Sequence, residues 1–245
     1  FSRQLYGGVS RYFVELARRL SITEKTKVQV LAPLYINRYL TELDPGIVSG
    51  RQLAWAPKAS GKLMNIYNRA SSHNRIAAFG PDIVHETYFA QRPVSPRSKG
   101  QRIITVHDMI HERYPEYFPS WDNTAANKRS AIKHAAHIIC VSENTRRDLI
   151  EIENVDANKL SVVHHGFNSI IPRATETKPL IVDPYLLHVG IRTGYKNFKR
   201  LLSAYAGSSD LRDNYRLVCF GGGKFERSEE REKKKYGLSN DSLVW

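Results

Sequence analysis

Apolar positions change period several times along the chain, between the spacing of a helix and that of a buried strand. Val9–Leu20 (VSRYFVELARRL) places Val9, Phe13, Leu16, Ala17 and Leu20 on one helical face. Lys27–Ala32 (KVQVLA) then reads as a strand ending at Pro33, and Lys62–Phe79 as a long helix closed by Gly80-Pro81. Short apolar runs follow at Asp82–His85 (DIVH) and Arg102–Val106 (RIITV), then a helix over Asn123–His137 and a strand over Ile138–Val141 (IICV). Ser142 is placed to cap a helix over Glu143–Ile152, whose first turn is acidic. Lys159–Val163 (KLSVV) runs as a strand into His164-His165-Gly166. A new series begins at Tyr185–Val189 (YLLHV), with a helix over Asn197–Ala206, a strand over Arg216–Phe220 (RLVCF), three glycines and a charged helix from Glu226 to Tyr236.

Strands that are apolar throughout, separated by helices, predict parallel sheets covered on both faces. The stretch Phe167–Pro184 holds three prolines and little periodicity. It divides the chain into a domain over 1–172, a linker over 173–184 and a smaller domain over 185–245. The expected fold is α/β, with two Rossmann-like, doubly wound parallel-sheet domains, the second truncated. Ligands then belong at the carboxyl ends of the strands, in the crevice between domains. The chain starts without Met, at a glycine turn that normally follows a strand, and stops at Ser242–Trp245, where a strand begins. It therefore reads as a piece of a longer protein.

Composition narrows the classes. Hydrophobic residues make up 41% of the 245, enough to fill a core, and no run of 18 apolar residues could cross a bilayer. Phe1–Tyr6 carry no signal-peptide pattern, and two distant cysteines, Cys140 and Cys219, form neither a disulfide framework nor a zinc set. A reducing cytoplasmic setting is the expectation. The net charge of +13 asks for an anionic partner. It is spread over both parts, 23 bases against 15 acids in 1–172 and 14 against 9 in 173–245, so no basic tail exists. Bases are not interleaved with aromatics as on a single-stranded nucleic-acid platform, so nucleic acid is not the expected partner.

Candidate chemistry collects at predicted strand ends. Gly7-Gly8 before the first helix would let backbone N–H groups approach a phosphate, with Arg11 one turn in. His107-Asp108 ends the RIITV strand, where a base or hydroxyl ligand would stand. HDMIH over 107–111 resembles a zinc-protease pattern only on the surface, because Asp replaces the catalytic Glu and the segment leaves a strand. Glu86, His165 and Gly166 occupy equivalent strand-end positions. Gly190–Lys196 (GIRTGYK) is the sharpest signal: Arg192 and Lys196 bracket a glycine turn between strand and helix, an arrangement suited to a diphosphate. Gly221 and Gly222 follow the next strand. No nucleophile elbow and no Walker lysine motif occur.

Six segments stand together in a familiar order: YGGVSRYFVELARRL, DIVHETYF, ITVHDMI, IICVSENTRRDL, KLSVVHHGFN and LLHVGIRTGYKNFKRLLSAY. The set resembles the GT-B retaining glycosyltransferases of family four, in particular a bacterial mannosyltransferase-like group of surface polysaccharide synthesis. The resemblance implies a nucleotide-sugar donor, GDP-mannose first, and a saccharide or lipid-linked saccharide acceptor. It implies no cofactor and no metal, since cationic side chains and helix N-termini hold the leaving diphosphate. Gly7 and Gly8 then correspond to a loop near the donor phosphate, and His107 and Asp108 to the catalytic strand end. Arg192 and Lys196 correspond to the diphosphate pair, and Arg11, Glu86, His165, Gly166, Gly221 and Gly222 to cleft-lining positions. The family's Glu-x7-Glu segment does not follow Gly223; Glu226, Glu229, Glu230 and Glu232 have the wrong spacing. The segment is expected beyond Trp245, and without it the chain is expected to be inactive. The alternatives are a non-catalytic GT-B-like scaffold and a basic nucleic-acid-binding module. The excess charge also suggests peripheral contact with an anionic membrane, at the inner face of the plasma membrane.

Overall fold

A computed structural model describes residues 1–2, 4–55, 61–90, 92–93, 98–167, 181–192 and 194–244. Contacts divide the chain into two compact units: Phe1–Arg113 with Ser120–His165, and Tyr114–Pro119 with Gly166–Trp245. Most of the predicted linker, 173–180, lies outside the described residues.

The first unit opens with helix α1 (Gly8–Ser21), whose buried side chains are Phe13, Val14 and Ala17. The predicted stripe is rotated: Val9 and Leu20 are exposed and Val14 points inward. The inner stripe packs on strand β1 (Val30–Tyr35) in a cluster of Val14, Ala17, Ala32, Tyr35, Leu40 and Leu43. The strand does not stop at Pro33. It runs through it, and its parallel pairing with β2 (Val48–Gln52) shifts register between Ala32 and Leu34. A residue without an N–H is tolerated where the ladder is interrupted. Sequence pattern missed β2, which has no β-branched run; within it Gly50 lies against the Ala32 carbonyl, where a Cβ could not fit. Helix α2 (Gly61–Phe79) then leads to a four-stranded parallel sheet in the order β3 (Ile83–Glu86), β4 (Gln101–Val106), β5 (His137–Cys140), β6 (Leu160–Val162).

Parallel neighbours need crossovers, supplied here by α3 (Ile110–Arg113) and α4 (Thr124–His134) between β4 and β5, and by α5 (Glu143–Glu153) between β5 and β6. Ser142 caps α5, its side chain accepting from Thr145 N at 3.1 Å. The core beneath is Ile104, Val106, Met109, Ala131, Ile132, Ile138, Cys140, Leu149 and their neighbours.

The second unit holds a parallel sheet of β7 (Tyr185–Val189), β8 (Arg216–Phe220) and β9 (Leu243–Val244), with α6 (Phe198–Gly207), α7 (Ser209–Asn214) and α8 (Arg227–Lys235). Phe198, Leu202, Tyr205, Leu217, Cys219 and Leu243 form its core. The buried Tyr205 hydroxyl donates toward the carbonyls of Tyr215 (2.9 Å) and Ser242 (3.1 Å), tying the residues that lead into β8 and β9 to α6.

Candidate functional site

In the first unit, polar side chains gather where β3, β4 and β6 end and where α1 begins. Alternation along β4 puts Thr105 and His107 on one side of the sheet, and α1 covers that side with Tyr12 and Phe13. Thr105 Oγ1 bonds both the Tyr12 hydroxyl (3.2 Å) and His85 Nε2 (2.9 Å). The His107 ring stacks on His165 (5.5 Å, 22°) and meets Tyr12 edge-on (5.3 Å, 88°), while Phe13 stands against His85 at 5.0 Å. Burial in this cluster makes His85 and His107 resist protonation. Burial first, then the charge on His107, pushes His85 down to about 4. Burial and His165 lower His107 as well, with Asp108 opposing. His107 Nε2 is buried and has no hydrogen-bond partner among the described residues. A neutral imidazole with one free ring nitrogen can accept from, or donate to, a hydroxyl of a bound molecule.

Asp108 is exposed. Its carboxylate caps the short α3 by accepting from Ile110 N (3.1 Å), and its carbonyl accepts from Lys128 Nζ (2.8 Å). Lys128 is a buried lysine on α4, paired with Glu112 (2.8 Å), and its ammonium stands 5.6 Å from the Phe89 ring centre. This pair pins the loop that carries His107 and Asp108. Gly7 starts α1 with no side-chain cap, and Gly8 and Arg11 are exposed. Glu86 is buried, its carboxylate accepting from Arg102 at 2.6 Å, so it belongs to the interior of the sheet and does not line a surface. His165 is exposed and joins the His107 stack. Gly166 opens the second unit's C-terminal segment, Gly166–Trp245. His107 precedes α3 and His111 lies within it, so HDMIH does not present two histidines on one helix face. Among the described residues no group of three His, Cys, Asp or Glu is placed to hold a metal ion.

In the second unit, Arg192 and Lys196 are not equivalent. Arg192 is buried, and its guanidinium is engaged on every nitrogen. Nε donates to Glu229 Oε1 (2.8 Å) and Nη1 to the Gly221 carbonyl (2.9 Å). Nη2 reaches the carbonyls of Gly223 (2.9 Å) and Lys224 (3.0 Å) and Glu229 Oε2 (3.2 Å). Phe225 covers it at 4.8 Å. The carbonyls can converge because Gly221, Gly222 and Gly223 all have positive φ, between 73° and 84°. At Gly222 a Cβ would stand 2.9 Å from the Gly190 carbonyl oxygen. Glu229 is doubly used, since it also accepts from Glu226 N (2.7 Å) to close the capping box of α8. Lys196 is exposed just before α6, its ammonium 5.2 Å from the Tyr195 ring. Asn197, at φ 54°, begins α6 without a side-chain cap.

Tyr12, His85 and Lys128 were not singled out in the sequence as site residues, and Glu229 stood out there only as a glutamate with the wrong spacing for the donor motif. His85 ends the DIVH run and could have been found by the rule that singled out His107. Lys128 falls in helical phase with Ala131 and Ile132, a usable sign of burial. Nothing in the sequence points from Arg192 to Glu229.

Parallel α/β units with their polar side chains at the strand ends define the class: the fold is that of the GT-B glycosyltransferases. Residues 6–169 match Glycosyltransferase Family 4, and the chain belongs to that family. Over its whole length it is similar to a glycosyltransferase from Rickettsia africae ESF-5 (17% identity, TM-score 0.59). It is likewise similar to the lipopolysaccharide outer core galactosyltransferase WaaB (13%, 0.59) and to WaaG, a glycosyltransferase involved in lipopolysaccharide biosynthesis (16%, 0.63). At these identities the likeness is one of fold. The chain spans 65% of the first two structures and 67% of the third. No curated protein matches the sequence.

Proposed function

We propose that the whole protein transfers a hexose, mannose in the first instance, from a nucleotide-diphosphate sugar to a saccharide or lipid-linked saccharide acceptor, with retention of configuration. Family membership supports the reaction class. The observation that carries the assignment of the site is His107: a strand-end imidazole, kept neutral, with a buried ring nitrogen unpartnered among the described residues. In this reading Nε2 holds a hydroxyl of the transferred sugar or of the acceptor. Lys196 and the uncapped start of α6 meet the diphosphate, and Arg192 sets the neighbouring glycine loop from beneath. The acceptor oxygen bonds to the anomeric carbon on the face from which the diphosphate leaves. As that carbon–oxygen bond breaks, the acceptor proton passes to the departing phosphate oxygen.

The test is nucleotide release by the full-length protein across a panel of GDP-mannose, UDP-galactose and UDP-N-acetylglucosamine, with galactose included because WaaB is a galactosyltransferase. Lys196→Ala is expected to cost about 2–4 kcal/mol of transition-state stabilisation without changing stability. Unchanged turnover in that variant removes the diphosphate assignment. No release from any donor leaves a non-catalytic GT-B-like scaffold as the reading.

A further inference from the structure

We propose that Tyr12, tied down through Thr105, is the positioning residue for the His107 imidazole. Both rings of the His107–His165 stack lean on the half-buried Tyr12 ring. It meets His107 at 5.3 Å and 88°, and His165 at 5.1 Å and 67°. Edge-on ring contacts of this kind are individually weak, so they hold an imidazole in place only where the ring they lean on is itself fixed. Helix α1 fixes the backbone of Tyr12, but the torsion that turns a phenol ring is broad. The hydroxyl supplies the missing restraint by bonding Thr105 Oγ1 at 3.2 Å.

Thr105 is built to be an anchor. It is buried on β4, which is flanked in the sheet by β3 and β5, and a β-branched side chain is stiff at its first torsion. Its oxygen also meets His85 Nε2 at 2.9 Å. A threonine hydroxyl carries a single proton, and a buried donor left unpaired is costly, so Thr105 donates to one of these partners and accepts from the other. Tyr12, Thr105 and His85 thus form one directed chain of hydrogen bonds from α1 across β4 to β3. His107 stands outside that chain, and its Nε2 has no partner among the described residues. The tether therefore holds the imidazole by ring contact and leaves that nitrogen for a ligand. The role assigned to Tyr12 rests on the reading of His107 as a residue that meets substrate.

The test is an NMR titration of protein labelled with 15N-histidine, with His107→Gln used to assign the His107 ring signals. It needs no sugar donor, so the tether can fail while His107 keeps its proposed role. The groups that act on this ring are His85 on β3, His165 after β6 and the neighbouring Asp108, and the variants leave all three in place. Burial is the largest cause that holds His107 below its ordinary value, so an imidazole released toward water takes up a proton more readily. Tyr12→Phe and Thr105→Val each remove the tether and keep the bulk. Both are expected to raise the His107 pKa by about half a unit or more. Thr105→Ser keeps the hydroxyl and is expected to titrate as the wild type does. Tyr12→Phe carries the test by itself if Thr105→Val does not fold. A His107 titration that Tyr12→Phe leaves unchanged overturns the proposal. So does a Thr105→Ser variant that behaves like Thr105→Val, which would assign the effect to the packing of the threonine methyl and not to its hydroxyl.

Discussion

Replacing Arg192 with lysine separates two roles that a sequence motif treats as one. A guanidinium that meets a diphosphate directly would be exposed, and lysine would keep its charge there. The structure instead gives Arg192 five hydrogen bonds, two to Glu229 and three to the carbonyls of Gly221, Gly223 and Lys224. An ammonium is a compact donor that cannot reproduce a planar fork. Keeping Glu229, it would lose at least two of the carbonyls. Hydrogen bonds to charged groups contribute about 1.5–3 kcal/mol each, so Arg192→Lys should cost the second unit about 3–5 kcal/mol. Glu229 retains some solvent contact, which places the loss at the lower end. Hydrogen-exchange mass spectrometry over residues 217–236 reads the effect locally, as lost protection in β8 and α8. Unchanged protection in Arg192→Lys, with weakened nucleotide-diphosphate binding, would refute the clamp and make Arg192 a direct phosphate ligand.

Three further outcomes are expected. Lys128→Met leaves the Glu112 carboxylate buried and unpaired and should cost about 3–5 kcal/mol in urea unfolding, whereas Lys128→Met/Glu112→Leu should recover most of that; equal losses in both would show that the pair is not coupled. The folded state holds His85 near 4, below its ordinary 6.5, so the unfolded chain takes up the proton first, and the stability His85 contributes is present above pH 6.5 and lost as pH falls toward 4. That loss amounts to about 3 kcal/mol at most, and His85→Gln should flatten the stability profile in that window; an unchanged slope in the variant would contradict it. Gly222→Ala should destabilise more than Gly223→Ala: both have strongly positive φ, worth about 1–2 kcal/mol, but only at Gly222 does a Cβ also crowd the Gly190 carbonyl and Arg192. Equal melting temperatures for the two would refute the crowding.

The alternation of buried strands and helices was legible because local sequence determines it. β4, β5, β7 and β8 lie where apolar runs predicted them, within a residue at each end. What stayed illegible depends on residues far apart in the chain. In β2, Gly50 lies against the Ala32 carbonyl where a Cβ could not fit, and β1 crosses Pro33 where the ladder shifts register, neither of which a period can show.

The site divides along the same line. His107 and Asp108 were readable as a polar pair ending a buried strand. The cluster that tunes His107 is assembled from β3, α1 and the segment after β6. A cation between glycines looks the same in sequence whether it faces a phosphate or a carbonyl. The difference at Arg192 lies in Glu229, 37 positions away, and in a run of three glycines at positive φ that brings the carbonyls of Gly221, Gly223 and Lys224 onto the guanidinium. The four glutamates after Gly223 look like a failed donor motif by spacing, yet Glu229 is the counter-charge that lets an arginine be buried beneath the glycine loop. In this chain the motif's first cation serves the loop. Its second, Lys196, is exposed, and it is the one to which the proposed function gives the diphosphate.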